Sequence, residues 1–340
     1  MMKSFKKILT GALVVAAVAG AGVAQALTLN GAGSTFDNPI FQKWFYEYNK
    51  QFGIQVNYQS IGSGGGIQQF ISKTVDFGAT DAFLTDDETG KVGGPALNIP
   101  VVMGAVCVSY NVPGVDSGLK LDSDIIANIY LGAITKWNDP AIAELNPGVN
   151  LPDLSITVAH RSDGSGTTNI FTNYLTKVSV QWASSVGWGK AVKWPLGVGG
   201  KGNEGVAGLI KQIPGCIGYI ELAYAKQNSI PYASLKNRAG NFVDPSIDGT
   251  TAAAAGALKH MPPDFKVMIT NAPGAQAYPI CGFSWVVVRT NQPGENSKAL
   301  VDLLKWMMAT GNGEVASLYY APFPDSLVSK INAAISTIKY

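Results

Sequence analysis

Three short segments of this chain place glycine and hydroxyl residues where a helix is about to begin: Gly31-Ala-Gly-Ser-Thr-Phe36, Gly62-Ser-Gly-Gly-Gly66 and Arg161-Ser-Asp-Gly-Ser-Gly-Thr167. The first turn of a helix has backbone N–H groups with no partner inside the helix. Together with the positive end of the helix dipole they form an anion site. Glycine lets the backbone approach a ligand without a Cβ in the way, and Ser or Thr hydroxyls add donors. Any one of these turns has the ordinary explanation that Ser and Thr cap helices. Three in one chain point to an oxyanion held between helix N-termini.

Two charged residues refine that chemistry. Arg161 follows the strand-like ITVAH, and its planar guanidinium can grip an oxyanion in bidentate fashion. Its alternative role is a surface pair with Asp163. Asp81, in DFGATDAF, is the odd member of the set, because a carboxylate repels a fully deprotonated anion. It accepts a hydrogen bond from an oxyanion that still carries a proton. Phosphate at neutral pH has such a proton and sulfate has none, so an Asp here selects phosphate by leaving the wrong ligand with an unpaired repulsion.

Enzyme motifs fit less well. Gly197-Val-Gly-Gly-Lys201-Gly202 resembles a phosphate loop, but Walker A needs Ser or Thr directly after its Gly-Lys. Neither Ser63 nor Ser165 lies in G-x-S-x-G, and the GxG patterns lack the dinucleotide spacing. A Ser-His-Asp triad would have to recruit His160 or His260, the chain's 2 histidines, and both sit where structural or solvent-facing histidines are common. No catalytic constellation, metal site or cofactor is expected.

The elements that must position these turns alternate between short apolar strands and helical stretches. FQKWFYEYNKQF, IQVNYQS, IQQFISKTV and DFGATDAF read as helix, strand, helix and strand around a glycine-rich turn. LSITVAHRSDGSGTTNIFTNYLTKV reads as strand, turn and helix, and GCIGYIELAYAKQ as strand running into helix. PVVMGAVCVSYNV and ICGFSWVVVRT are long, uniformly apolar strands, and SKALVDLLKWMMAT is an amphipathic helix. From about residue 236 to residue 266 the chain reads as a loop followed by a surface helix. The two long strands bracket the middle of the chain, as expected if it leaves one lobe near residue 105 and returns near residue 275.

Composition narrows the class. Charged residues are 14% and hydrophobic residues 46%, too apolar for a disordered chain, and 340 residues suffice for about two domains. The formal net charge is +2, with no concentrated basic face for nucleic acid. Residues 1–26 carry Lys3, Lys6 and Lys7, then an apolar stretch, then Ala24-Gln25-Ala26, the pattern of a cleavable signal peptide. Its removal leaves 22 basic against 23 acidic residues, a net −1, so bulk attraction does not recruit the ligand. Export implies a soluble, periplasmic product. Of Cys107, Cys216 and Cys281, an oxidising compartment permits one pair, and the sequence leaves open which.

LNGAGSTFDNPIFQKW, VNYQSIGSGGGIQQFISKTVDFGATDAFL, IYLGAITKWNDPAIAELNPG, VAHRSDGSGTTNIFTNYL and VKWPLGVGGKGNEGVAGLIKQIPGCIGYIELAYAKQN resemble, in order and in spacing, the phosphate-binding proteins of phosphate ABC transporters. The likeness covers nearly the whole exported chain. It is weaker from about residue 236 to residue 273 and returns at LYYAPFPDSLV. It implies an α/β, type II periplasmic-binding-protein fold, two doubly wound lobes with a ligand cleft between them. Lobe 1 would comprise residues 27–105 and 275–340, and lobe 2 residues 106–274. Carried over by motif, the phosphate shell would be Thr35, Phe36 (through its backbone N–H), Ser63, Asp81, Arg161, Ser165, Gly166 and Thr167, with Asp163 orienting Arg161. The implied partners are inorganic phosphate and the permease subunits of an ABC transporter, the exported chain itself being monomeric. Ser34 stands where Ala is frequent and His160 where Arg is frequent, and neither is expected to touch the ligand shell. Three other readings stay open on the residues alone: a receptor for another tetrahedral oxyanion, an exported phosphatase or esterase using Ser165 or Ser63, and a sensory or adhesive envelope protein.

Overall fold

The computed structural model describes residues 27–340, so the expected signal peptide at residues 1–26 lies outside the described residues. The first stretch runs β1 (Thr28–Gly33), α1 (Asn38–Phe52), β2 (Gln55–Ser60), α2 (Ser63–Ile71), β3 (Phe77–Thr80), α3 (Asp86–Lys91) and β4 (Ala96–Tyr110). It continues through β5 (Lys120–Leu121), α4 (Ser123–Leu131), α5 (Pro140–Leu145), β6 (Thr157–Arg161), α6 (Gly166–Val178), α7 (Val180–Ser185), β7 (Val198–Gly200), α8 (Gly202–Gln212), β8 (Cys216–Glu221) and α9 (Leu222–Gln227). The chain closes with β9 (Ser234–Lys236), β10 (Phe242–Val243), α10 (Ile247–Lys259), β11 (Cys281–Arg289), α11 (Glu295–Trp306) and a last helix at Asp325–Ile335.

Eight strands form one mixed sheet in the order β2-β1-β3-β11-β4-β8-β6-β7. At each end the outer strands run parallel, β1 with β2 and β3, and β6 with β7 and β8. The centre is antiparallel, and β4 belongs to both ends. Its residues Ala96 to Ala105 pair with β11, whereas Val106 to Tyr110 pair with β8. A strand flanked on both edges and covered on both faces has no polar side to present. That is why β4 and β11 read as unbroken apolar runs, and both are buried along most of their length.

Helices cover the sheet through their apolar stripes. Helix α1 buries Ile40, Phe41, Trp44, Phe45 and Tyr48, a spacing that follows the 3.6-residue period, and the Trp44 indole N–H donates to the Gly311 carbonyl at 3.1 Å. Four tryptophans, Trp44, Trp137, Trp182 and Trp285, are fully buried, so both ends of the sheet have aromatic cores. Between residues 236 and 266 the sequence suggests a loop and a surface helix. The structure adds a small sheet, β10-β9-β5, and packs one side of α10 inward through Gly249, Thr250, Ala253 and Ala254. These small side chains let the helix lie close without leaving a long apolar stripe in the sequence. All three cysteines are free and buried.

Helix α2 starts at Ser63, so Gly64 to Gly66 lie inside its first turns and Gly62, at φ 87°, makes the bend before it. A Cβ on Gly66 would collide with the backbone of Gly33 and Ala32, so this glycine sets how closely α2 lies on β1. Gly66→Ala is expected to force the two apart at a cost of about 1–3 kcal/mol. Urea denaturation should show a lower midpoint with an unchanged slope.

Candidate anion-binding site

The site forms where the two ends of the sheet meet, and every turn singled out in the sequence arrives there. The β1–α1 turn brings Ser34, Thr35 and Phe36, the start of α2 brings Ser63, and the end of β3 brings Asp81. From the other end, β6 delivers Arg161, and the start of α6 delivers Ser165, Gly166 and Thr167. All are buried, and even the long Arg161 keeps only 3% of its surface exposed.

The halves touch directly. The Gly64 N–H donates to the Gly164 carbonyl at 2.7 Å, and a Cβ on Gly64 would lie 3.0 Å from the Gly164 Cα. The Ser63 hydroxyl oxygen accepts from Asp81 N at 3.2 Å and from Gly166 N at 3.1 Å, tying the start of α2 both to the end of β3 in its own half and to the start of α6 in the other. Tyr224, on α9, donates to the Thr35 carbonyl at 2.6 Å. At the rim, Lys190 pairs with Glu88 at 2.7 Å, both largely shielded. Ser165 is an N-cap as well, its hydroxyl oxygen accepting from Thr168 N at 3.0 Å.

Arg161 is held from one side. Its Nε and Nη2 donate to the two oxygens of Asp163 at 2.8 and 2.5 Å, and its Nη1 points toward the Thr167 hydroxyl at 3.4 Å. Burial disfavours charge on Asp163, but the bonds and charge of Arg161 and the Gly202 amide outweigh it and hold that carboxyl below the usual range. A guanidinium gripped on one edge has its orientation set and its other edge aimed at the donors of α6.

Asp81 is the acceptor among these donors. The Thr167 hydroxyl donates to its Oδ2 at 3.3 Å, and Ser284 of β11 donates to Oδ1 at 3.0 Å. Ser34 also donates to Oδ1 in a short bond. Burial pushes the Asp81 carboxyl up to about 6, while the hydroxyls of Ser34 and Ser284, the Arg161 charge and Thr167 pull it back. Beside it lies Asp37, fully buried, whose carboxyl is pushed well above its ordinary range by burial and then by the Asp81 charge.

Two findings depart from the sequence reading. Ser34 was expected to stay clear of the site, yet its hydroxyl bonds Asp81, because the glycine turn folds residue 34 back toward the end of β3, where its own N–H donates to the Ala79 carbonyl at 2.8 Å. Asn203 is a residue the sequence reading missed. Its N and Nδ2 donate to the Thr35 hydroxyl oxygen at 3.1 and 2.8 Å, and Nδ2 also reaches Thr167 Oγ1 at 3.1 Å. It is the second residue of α8, in the first turn after Gly-Gly-Lys, a fourth glycine turn at a helix N-terminus, which was the available signal. His160 stacks on Trp194 with ring centres 4.8 Å apart.

The arrangement gathers hydroxyls, amides and one guanidinium around the Asp81 carboxyl, supplied from both ends of the sheet. It can hold a tetrahedral oxyanion that keeps a proton for Asp81. A family model described as a PBP superfamily domain matches residues 19–310. The chain is 47% identical to the phosphate-binding protein PstS of Pasteurella multocida, over 92% of this chain and 91% of that one. It is 39% identical to PstS of Methanocaldococcus jannaschii, over 90% and 85%. Among solved structures, it superposes on a phosphate-bound, high-affinity periplasmic phosphate-binding protein (PfluDING) with a TM-score of 0.69 at 18% identity, covering 90% of this chain and 93% of that one. A phosphate-binding protein from Stenotrophomonas maltophilia gives 0.67 at 17% identity, over 91% and 94%.

A carboxyl whose pKa is higher folded than unfolded holds its proton more tightly in the folded state. Its stability contribution is therefore full below the unfolded pKa and lost as pH rises through the folded one. The ligand-free chain should accordingly lose on the order of 2–3 kcal/mol from Asp81 as pH rises from about 4 to above about 6. In Asp81→Asn, urea melts at a series of pH values should show a flatter profile across that window.

Proposed function

The chain belongs to the PBP superfamily and, within it, to the phosphate-binding proteins typified by PstS, and on that premise we propose that it is an exported receptor for inorganic phosphate that serves an ABC importer. The observation that carries this reading is Asp81, a charged acceptor set 3.3 Å from the Thr167 hydroxyl inside a group otherwise made of donors. Such a set suits a protonated tetrahedral anion and opposes a fully deprotonated one.

Thr35, Phe36, Ser63, Asp81, Arg161, Ser165, Gly166 and Thr167 supply the phosphate shell, with Phe36 acting through its backbone. The change of partner along β4 between Ala105 and Val106 supports a division into one lobe of residues 27–105 and 275–340 and another of residues 106–274. Opening hinges on the shared strand β4 and the return segment before β11, and closing strips water from the ion. Burying an anion is costly unless its oxygens are nearly all hydrogen-bonded, which is what a ring of helix N-termini provides. The protein works by binding and release without a chemical step. The leader at residues 1–26 directs it to the periplasm, where the soluble monomer hands phosphate to permease subunits. Among the described residues no helix is long and apolar enough to cross a membrane.

Calorimetric titration of residues 27–340, stripped of ligand, should show tight one-to-one binding of phosphate and no response to sulfate at neutral pH. Sulfate binding would keep the fold and overturn the ligand, and silence toward both ions would overturn the receptor. In Asp81→Asn the amide can donate where the carboxylate repels, so sulfate should begin to bind. Arg161→Ala should weaken phosphate by about 2–5 kcal/mol, since it also strands Asp163.

A further inference from the structure

Behind Asp81 lies a hydrogen-bond chain that the receptor's chemistry does not by itself require. Ser284 Oγ lies 2.7 Å from Asp37 Oδ2, 3.0 Å from Asp81 Oδ1 and 3.1 Å from the Thr80 carbonyl oxygen. A hydroxyl has one proton and cannot donate to three acceptors at once. Two carboxylates against one hydroxyl therefore require a further proton on one of the acids. The surroundings decide which. Asp81 has donors from Ser34 and Thr167 besides Ser284, and the positive charge of Arg161 nearby. Asp37 has its Oδ1 buried with no partner among the described residues, Ser284 bonds its Oδ2 at 2.7 Å, and Ser34 has a smaller effect on it. An ionised carboxylate left so bare is much less favourable than a neutral acid with an idle carbonyl oxygen.

Resting on the receptor reading above, we propose that Asp37 is a permanently neutral acid whose proton, donated to Ser284, commits the Ser284 hydroxyl to Asp81 and so keeps Asp81 a charged acceptor at the pH where phosphate is told from sulfate. Asp37 touches no ligand in this scheme; it is a positioning and selectivity-setting residue acting through Ser284. The titratable groups facing it are Asp81 from the end of β3, Glu221 from the end of β8, Tyr58 from β2 and Tyr320 from the segment before the last helix, with Arg161 beyond Asp81. Glu221 accepts from Ala223 N at 2.8 Å and shares the Tyr320 hydroxyl, 3.2 Å away, with the Phe36 carbonyl oxygen at 2.6 Å, and it makes no bond to Ser284. The Ser34 hydroxyl is already directed to Asp81 while its oxygen accepts from Phe36 N at 2.9 Å.

Two measurements test this on the whole exported chain, residues 27–340. Infrared difference spectra between the wild type and Asp37→Asn at pH 7, without ligand, should show the carbonyl band of a protonated carboxylic acid that the variant lacks. A carboxylate band in its place would overturn the proposal, whatever the chain binds. Competition between phosphate and sulfate, followed against pH, supplies the functional sign. In Asp37→Leu the Ser284 proton is free to turn to Thr80, Asp81 loses a donor to its charged form, and the pH at which sulfate rejection fails should move up by about one unit. Asp37→Asn, whose amide donates to Ser284 as the acid does, should restore the wild-type midpoint. A downward shift in both variants would mean that Asp37 carries a charge, and no shift in Asp37→Leu would mean that it does not act on Asp81; either result overturns the proposal. Failure of the wild type to bind phosphate would instead overturn the receptor reading and with it the selectivity role, while the infrared band still reports where the proton sits.

Discussion

A positive charge with almost no access to water governs this molecule. The Arg161 side chain is 1% exposed, and its position is tolerable because Asp163 takes two of its donors and leaves one edge facing the cleft. The pair is close to neutral, so the space in front of it is not strongly positive. Whatever binds there must be held by many directed donors rather than by one large field. That requirement explains the repeated device of a glycine turn leading into a helix. Each turn contributes N–H groups and hydroxyls whose cost of desolvation is met only when something accepts from them.

Bringing four such turns to one point needs a frame in which two sets of strands end face to face. The shared strand β4 does this by pairing with β11 along one half and β8 along the other. The turns at the ends of β1 and β2 then oppose those at the ends of β6 and β7. The meeting surfaces are backbone against backbone, and a side chain at Gly64 or Gly164 would press within 3.0 or 3.1 Å of the other's Cα, tighter than most contacts. Glycine at these positions serves approach and aim at the same time.

The acidic side of the site follows the opposite logic. Asp81, Asp37 and Glu221 are all fully or almost fully buried, and burial raises each of their pKa values. Only Asp81 has a dense set of hydroxyl donors and a guanidinium to stabilise its charge. Three carboxyls in similar burial therefore differ in state because they differ in partners. Ser34, Thr167 and Arg161 make that difference, since Ser284 lies against both Asp81 and Asp37.

Much of this was legible in the chain itself. The alternation of apolar runs with amphipathic stretches, the unbroken apolarity of β4 and β11, and the three glycine-hydroxyl turns are local patterns, produced by local rules of period, capping and backbone sterics. They name Arg161, Asp81 and the α6 turn as site material before any fold is known. The tertiary structure alone decided the rest: that Asn203 reaches Thr35 across 168 residues, that Ser284 lies against Asp81 across 203 and against Asp37 across 247, and that Ser34 turns inward. No periodicity records such contacts. They arise only when two strand sets are docked at a given register, and the donors and acids left buried there must find partners among whatever side chains the docking brings near.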